Sequence, residues 1–482
     1  MASLNSPRSA RRRHLTLAVV LLLVGGLAAW WYWSDRRAEV VRAAIPAVPD
    51  LADWPAGFRA ALERSTTDAG RGNAAELGRL GALYHANGFF AEAQTCYRAL
   101  HQLAPFEARW WHLHATILAG FGDLDAATQH SERAVASAPD YVPARLRLAD
   151  VHLKRNDFAA AATLYNDVLR RGDHPHALFG LARIDVEQQR WTDARIKLER
   201  LVAQTDYALG YDLIGSVYEQ LSEQRLAAQV RGRAKASGAY RDAPDPWLDE
   251  LIAHCFDAYR LALAAGVAER SGDLSTALRH LERAVALAPG DVSARFQFAR
   301  TLQQKRDLPR ARAEYERCTQ LAPNFADGWA HLAALLADAG DRAAAERVVA
   351  SGLGHCPDSP GLYLMRARFH RQAGGIAPAL DAYRRSLQLR PNEAEPYIEL
   401  ATLLLQHGGE SEALQQLQRA IVVEPDHPTA LALLTLTAIS QQDQTSARRW
   451  LARVTGQPRV PPAQVQQLLA AYRAQFGRDF RP

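Results

Sequence analysis

The 482-residue sequence predicts an all-α chain: a solenoid of helix–turn–helix units behind a single transmembrane helix. Three observations carry that expectation. Prolines recur every 34 residues, at Pro289, Pro323, Pro357, Pro391 and Pro425, and again at Pro105 and Pro139. Small and bulky residues recur in phase with them. An uncharged stretch of 19 residues, Leu15 to Trp33, precedes the periodic part. At 48% apolar and 23% charged residues, the composition is globular and excludes collagen-like, disulfide-framework and disordered classes.

The amino-terminal end reads as an anchor. Residues 1–14 form a basic tail with Arg8, Arg11, Arg12 and Arg13, and residues 15–34 form the span. Nineteen helical residues reach roughly 28 Å, close to the thickness of a hydrocarbon core. Trp30, Trp31, Tyr32 and Trp33 gather at one end, where amphipathic rings favour the headgroup level. A cleaved signal peptide is the alternative, because Leu27-Ala28-Ala29 offers small residues for cleavage. The arginine bias favours a short inner tail and an outer body, placing the protein in a bacterial inner membrane with its body periplasmic or extracytoplasmic. Beyond residue 42 the chain carries 50 basic and 50 acidic side chains. That neutral body lacks the basic footprint of a nucleic-acid binder.

Residues 35–73, with Pro46, Pro49 and Pro55, read as a linker and a capping helix around Phe58 and Leu62. Eleven units follow, starting at Ala74, Ala108, Val142, Pro175, Ala208, Ala258, Val292, Ala326, Pro360, Ala394 and Pro428. An alanine precedes each proline by twelve residues: Ala93, Ala127, Ala277, Ala311, Ala345, Ala379 and Ala413. A bulky residue often follows it by four, as at Tyr97, Leu281, Tyr315, Tyr383 and Leu417. A small residue stands twelve before it: Gly81, Ala115, Ala265, Ala299, Ala333, Ala367 and Ala401. Turn signals such as Gly122-Asp123 and Gly272-Asp273 separate the halves, and proline ends the second helix. This pattern resembles the tetratricopeptide repeat family, whose unit has the same length. The resemblance implies a right-handed superhelix that binds protein or peptide partners in a groove lined by first helices.

The rhythm breaks at residues 241–257, which divides the array into five repeats (74–240) and six (258–461). This insert reads either as a hinge or as an extension of the sixth unit's first helix. Residues 462–482 read as a terminal capping helix with Val465, Leu468 and Tyr472 on its apolar side.

Catalytic motifs are missing: there is no P-loop, dinucleotide fingerprint, zincin helix or nucleophile elbow. The expectation is a non-enzyme without cofactor. The four cysteines, Cys96, Cys255, Cys318 and Cys356, form no CxxC pair; Cys96 and Cys318 read as buried thiols, with a Cys318–Cys356 disulfide as the alternative. His112 and His114 make an HxH, but residues two apart point away from each other on a helix, so no metal site is assigned there.

The family resemblance implies which first-helix positions face the groove. They are His85, Arg109, His112, Phe179, Arg183 and Asp212 in the first five units, and Tyr259, Phe296, Arg300, Arg368 and Arg371 in the others. This mixed surface of aromatics and arginines suits an extended or helical peptide. The function expected is a non-catalytic, membrane-tethered scaffold for an envelope complex. The alternatives are an accessory factor for cytochrome maturation or polysaccharide export, and a cytoplasm-facing membrane adaptor.

Overall fold

In a computed structural model, residues 30–205, 207–237, 243–457 and 460–480 are described. The basic tail and most of the expected anchor lie outside them. Among the described residues every regular element is a helix, and no helix is long and apolar enough to cross a membrane.

Residues 30–43 are helical. Part of the expected linker is therefore a docked helix. The reason is local: Val41 is buried, and the Arg37 guanidinium donates to the Leu103 carbonyl over 2.7 Å. The capping helix Ala56–Gly70 then packs on the first repeat through buried Phe58 and Leu62.

The chain forms two compact units, Met1–Pro289 and Gly290–Pro482. The first holds six helix pairs. They are Ala74–Ala86 with Phe90–Leu103, Ala108–Gly120 with Leu124–Ser137, Val142–Lys154 with Phe158–Arg170, Pro175–Glu187 with Trp191–Gln204, Ala208–Gln220 with Gln224–Ser237, and Ala258–Arg270 with Leu274–Leu287. The second holds five: Val292–Gln304 with Leu308–Leu321, Ala326–Asp338 with Arg342–His355, Pro360–Gln372 with Ile376–Leu389, Ala394–Gln406 with Glu410–Val423, and Pro428–Ser440 with Gln444–Thr455. The helix Pro462–Phe476 closes it, burying Leu468 and Tyr472 against the last pair.

The same physical rule builds every pair. The recurring alanines Ala93, Ala127, Ala277, Ala311, Ala345, Ala379, Ala413 and Ala447 have no exposed surface. A methyl group is all that fits where the two helix backbones approach. At Gly81 not even that fits without adjustment, because a Cβ would stand 2.9 Å from the Cβ of Cys96. Tyr97, Leu281, Tyr315, Tyr383 and Leu417 fill the space one turn on, each fully buried. Burying such a side chain contributes roughly 2–3 kcal/mol. Before each recurring proline the chain leaves the helical region, as at Ala322 with φ −135° and ψ 80°, which suits the steric demand of the following ring.

The turn inside each pair is built alike. One residue takes positive φ: Gly88, Gly122, Asn156, Gln189, Ser222, Gly272, Arg306, Gly340, Gly374, Gly408 and Gln442. In six pairs the next residue is an aspartate whose side chain caps the second helix: Asp123, Asp157, Asp273, Asp307, Asp341 and Asp443.

An inserted helix, Pro246–Ile252, interrupts the helix pairs between the fifth and the sixth. The insert does not extend the sixth pair: its helix Pro246–Ile252 ends, and a new one starts at Ala258. It packs back on the first helices of repeats one and two. Arg283, on the second helix of repeat six, donates to the carbonyls of Ile252 (2.9 Å) and Cys255 (2.6 Å). Those bonds hold the sixth pair in the first unit. All four cysteines are free thiols, and burial pushes Cys96 and Cys318 up to about 12.

The shared positive φ yields a stability test. Arg306 adopts φ 66°, which costs an L side chain about 1 kcal/mol. Arg306→Gly should therefore stabilise the second unit by about that amount. Gly340→Ala should destabilise it by a similar amount, although no atom lies within 4 Å of the added methyl. Denaturant midpoints of the two variants measure this, and shifts of the opposite signs would contradict it.

Candidate peptide-binding face

First helices of successive repeats lie side by side in repeats two, three and four of the first unit. Their exposed sides form a common face, and its amino-terminal half is already covered by the chain's own insert. Asp245 is the centre of that contact. His112 donates from Nε2 to one carboxylate oxygen over 2.8 Å, and the Tyr141 hydroxyl donates to the other over 2.7 Å. The Arg147 guanidinium stands 3.7 Å away. His112 is 1% exposed and Asp245 3%, so this pair is screened little by water. Burial pushes the Asp245 carboxyl up. The bonds from His112 and Tyr141 and the Arg147 charge outweigh burial and hold it below its ordinary value.

The rest of the insert follows the same face. Trp247 stacks on Tyr141 with ring centroids 3.6 Å apart, and its backbone N–H donates to the Tyr141 hydroxyl. Glu250 accepts from Arg109. Asn87 donates to the His254 carbonyl over 2.9 Å and accepts from the Phe256 N–H over 2.6 Å. Phe256 packs against Phe58 at 5.7 Å. Asn87 thus treats the insert as a neighbouring strand would, through its main chain. Residues 243–256 are seated as a short segment, its helix Pro246–Ile252 flanked by non-helical residues, with two acidic anchors and two aromatic ones.

Beyond this seat the face opens into a cavity of about 380 Å³. His112, Thr116, Tyr165, Phe179 and Arg183 line it, and Ala243 of the insert closes one side. Arg147, Lys154 and Arg183 stand against Asp150 there, so the lining is basic. The Tyr165 hydroxyl donates to Asp150 over 2.6 Å, which fixes that carboxylate. Phe179 meets the Tyr207 ring edge-on at 5.1 Å.

The structure therefore brings three of the expected groove residues, His112, Phe179 and Arg183, to one cavity, and gives Arg109 to the insert. His85 is buried beneath the face against the Tyr97 hydroxyl at 3.3 Å. Asp212 and Tyr259 are exposed on repeats five and six and line neither the cavity nor the seat. In the second unit Phe296 packs on His331 at 5.0 Å, and Arg300 and His331 share a shallow depression. Arg368 and Arg371 converge on Glu399, which also accepts from the buried Tyr383 hydroxyl over 2.8 Å. That carboxylate is pushed up by burial but held low overall by Arg368 and Tyr383.

The residues that sequence reasoning missed are Asn87, Tyr141, Asp245, Trp247 and Glu250. The one available signal was complementarity. An off-rhythm insert carrying Asp245, Trp247 and Glu250 belongs to a chain whose face carries Arg109 and His112.

Two predictions follow from this geometry. Asp245→Ala leaves His112 and the Tyr141 hydroxyl buried without their acceptor. It should destabilise the first unit by about 3 kcal/mol, whereas Asp249→Ala on the exposed side should cost far less; equal denaturation midpoints for the two would contradict the contact. The second concerns pH. Burial holds His85 and His114 down to about 3 and His101 to about 4, all below the unfolded value of about 6.5. Below about 6.5 the unfolded chain binds more protons than the native one, so stability is full above that pH and falls as pH drops toward 4. Thermal midpoints should therefore decline between about pH 7.5 and about pH 5, and a flat profile would contradict the neutral native histidines.

Tetratricopeptide repeat models match residues 146–208 and 398–461, 268–335, and 326–369. The chain is 27% identical over 418 residues to cellulose synthase operon protein C of Xanthomonas axonopodis pv. citri (strain 306), covering 79% of this chain and 27% of that protein. It thus spans about a quarter of that relative's length. Similar solved structures include yeast Tom70, at 16% identity and TM-score 0.38 over 83% of this chain and 95% of that one. Another is YrrB, a TPR protein with an unusual peptide-binding site, at 18% identity and TM-score 0.30 over 36% and 91%. With its repeated helix pairs and these sequence matches, the chain belongs to the tetratricopeptide repeat family.

Proposed function

We propose that the protein is a membrane-tethered, non-catalytic scaffold. Its first-helix face holds an acidic, aromatic segment of a protein partner in an envelope complex. The observation that carries this reading is the seating of residues 243–256. The face receives a partly helical segment in cis through two carboxylates, one tryptophan and main-chain bonds to Asn87. The basic cavity beside that seat continues the same chemistry, with Phe179 for an apolar anchor and Arg183 for a carboxylate. A partner segment would enter at the open end or displace the insert.

The tether rests on the uncharged stretch Leu15 to Trp33 and its flanking arginines. Exposed Trp30, Trp31 and Trp33 support it, since indole rings favour the membrane interface. The arginine bias supports a body outside the cytoplasm. A second reading, service to a polysaccharide-export system, is favoured by the likeness to cellulose synthase operon protein C.

A photocrosslinker at Phe179, used in native membranes, tests the scaffold. It should capture a partner through an acidic stretch, and Arg183→Glu should reduce capture at least about tenfold, a loss of about 1.4 kcal/mol. A crosslinked component of a polymer-export complex would favour the second reading. Capture unaffected by the charge reversal, or no capture, would overturn the assigned face.

A further inference from the structure

Repeats one and two carry a cluster of side chains that the peptide-binding face does not use. His114 leaves the first helix of repeat two on the side away from His112. It meets His101, on the second helix of repeat one, and His130, on the second helix of repeat two. The ring centroids are 5.1 Å apart for His101 and His114, 5.0 Å for His101 and His130, and 4.7 Å for His114 and His130. One nitrogen from each ring lies within 4.8 Å of the other two.

Packing alone leaves this cluster unsatisfied. His114 is 3% exposed, and neither of its ring nitrogens has a hydrogen-bond partner. The Nε2 of His101 is buried and unpartnered as well. A buried polar atom without a partner is costly and uncommon in a native fold. Here three such nitrogens belong to two of the clustered rings, His101 and His114.

The rings of His130 and His101 are each held from outside the cluster. The Nδ1–H of His130 donates to the Ala126 carbonyl over 2.7 Å, so its Nε2 carries the free lone pair. A backbone carbonyl behind an imidazole is the arrangement that orients a metal ligand. His101 lies flat on Trp111, centroids 3.5 Å apart, and the Trp111 indole N–H is tied to the Pro105 carbonyl over 2.9 Å. Burial keeps His101 and His114 neutral, at about 4 and about 3, and lowers His130 too. Neutral imidazoles offer their lone pairs without first losing a proton.

We propose that His101, His114 and His130 form a binding site for one divalent transition-metal ion of the zinc class. Three nitrogen donors without a carboxylate select zinc, cobalt, nickel or copper over magnesium or calcium. Metal–nitrogen bonds of about 2.1 Å place tetrahedral donors roughly 3.4 Å apart. The cluster reaches that by small rotations of His101 and His130, which are only half-buried. Three protein ligands leave the fourth position to water. The ion would staple the second helix of repeat one to both helices of repeat two, independently of any partner on the first-helix face.

The test uses untagged, full-length protein, stripped with a chelator and titrated with Co²⁺ alone. The expected result is one equivalent of Co²⁺ with the intense visible absorption of a low-symmetry, four-coordinate ion. Zn²⁺ should abolish that absorption, and the thermal midpoint should rise. His130→Ala and His101→Asn, both at half-buried positions, should each weaken Co²⁺ binding at least tenfold while circular dichroism shows a folded chain. Absence of saturable binding would overturn the site. So would binding that both variants leave unchanged, or an octahedral spectrum typical of surface-bound cobalt.

Discussion

The structure depends on how closely two helix backbones can approach within one pair. Alanine or glycine at the crossing sets that distance, and the buried residue one turn further on locks it. Each crossing leaves one side of the first helix facing outward. Repetition then aligns those sides into one face across repeats two to four of the first unit. The binding surface is a consequence of small residues buried behind it, since a larger side chain at the fully buried Ala127 would push the first helix out of line.

On that face the first unit uses its polar residues in two ways. Some are spent on the fold: His85 is held against Tyr97, and Asp150 is fixed by Tyr165. Others receive peptide chemistry, as Arg109 and His112 receive Glu250 and Asp245. The second unit has a comparable network, in which Arg368, Arg371 and the Tyr383 hydroxyl all turn on the one carboxylate of Glu399. A groove residue inferred from its position in a repeat can therefore be a ligand contact or an internal strut. Only the spatial partner distinguishes them.

Legibility followed the same division. The starts of the helix pairs could be read from the 34-residue period, because local packing repeats with the sequence. The positive-φ turn was visible at Gly122 and Gly272 but hidden at Gln189 and Arg306, where the fold overrides residue preference. The seat of the insert was not readable. Asp245 and His112 are 133 residues apart and stand in no periodic relation. The histidine cluster was hidden for another reason. His112 and His114 drew attention as neighbours in sequence, yet the helix sends them to opposite sides. His114 instead meets two histidines from other helices.

The central claim is that residues 243–256 are bound to the first-helix face as a peptide ligand would be. Hydrogen–deuterium exchange of the intact chain, read by mass spectrometry, tests it most directly. The account predicts that the amides of Trp247 and Phe256, which donate to Tyr141 and Asn87, exchange as slowly as those of the helices beneath them. Exchange across 243–256 at the rate of an unstructured peptide, with those helices still protected, would contradict it.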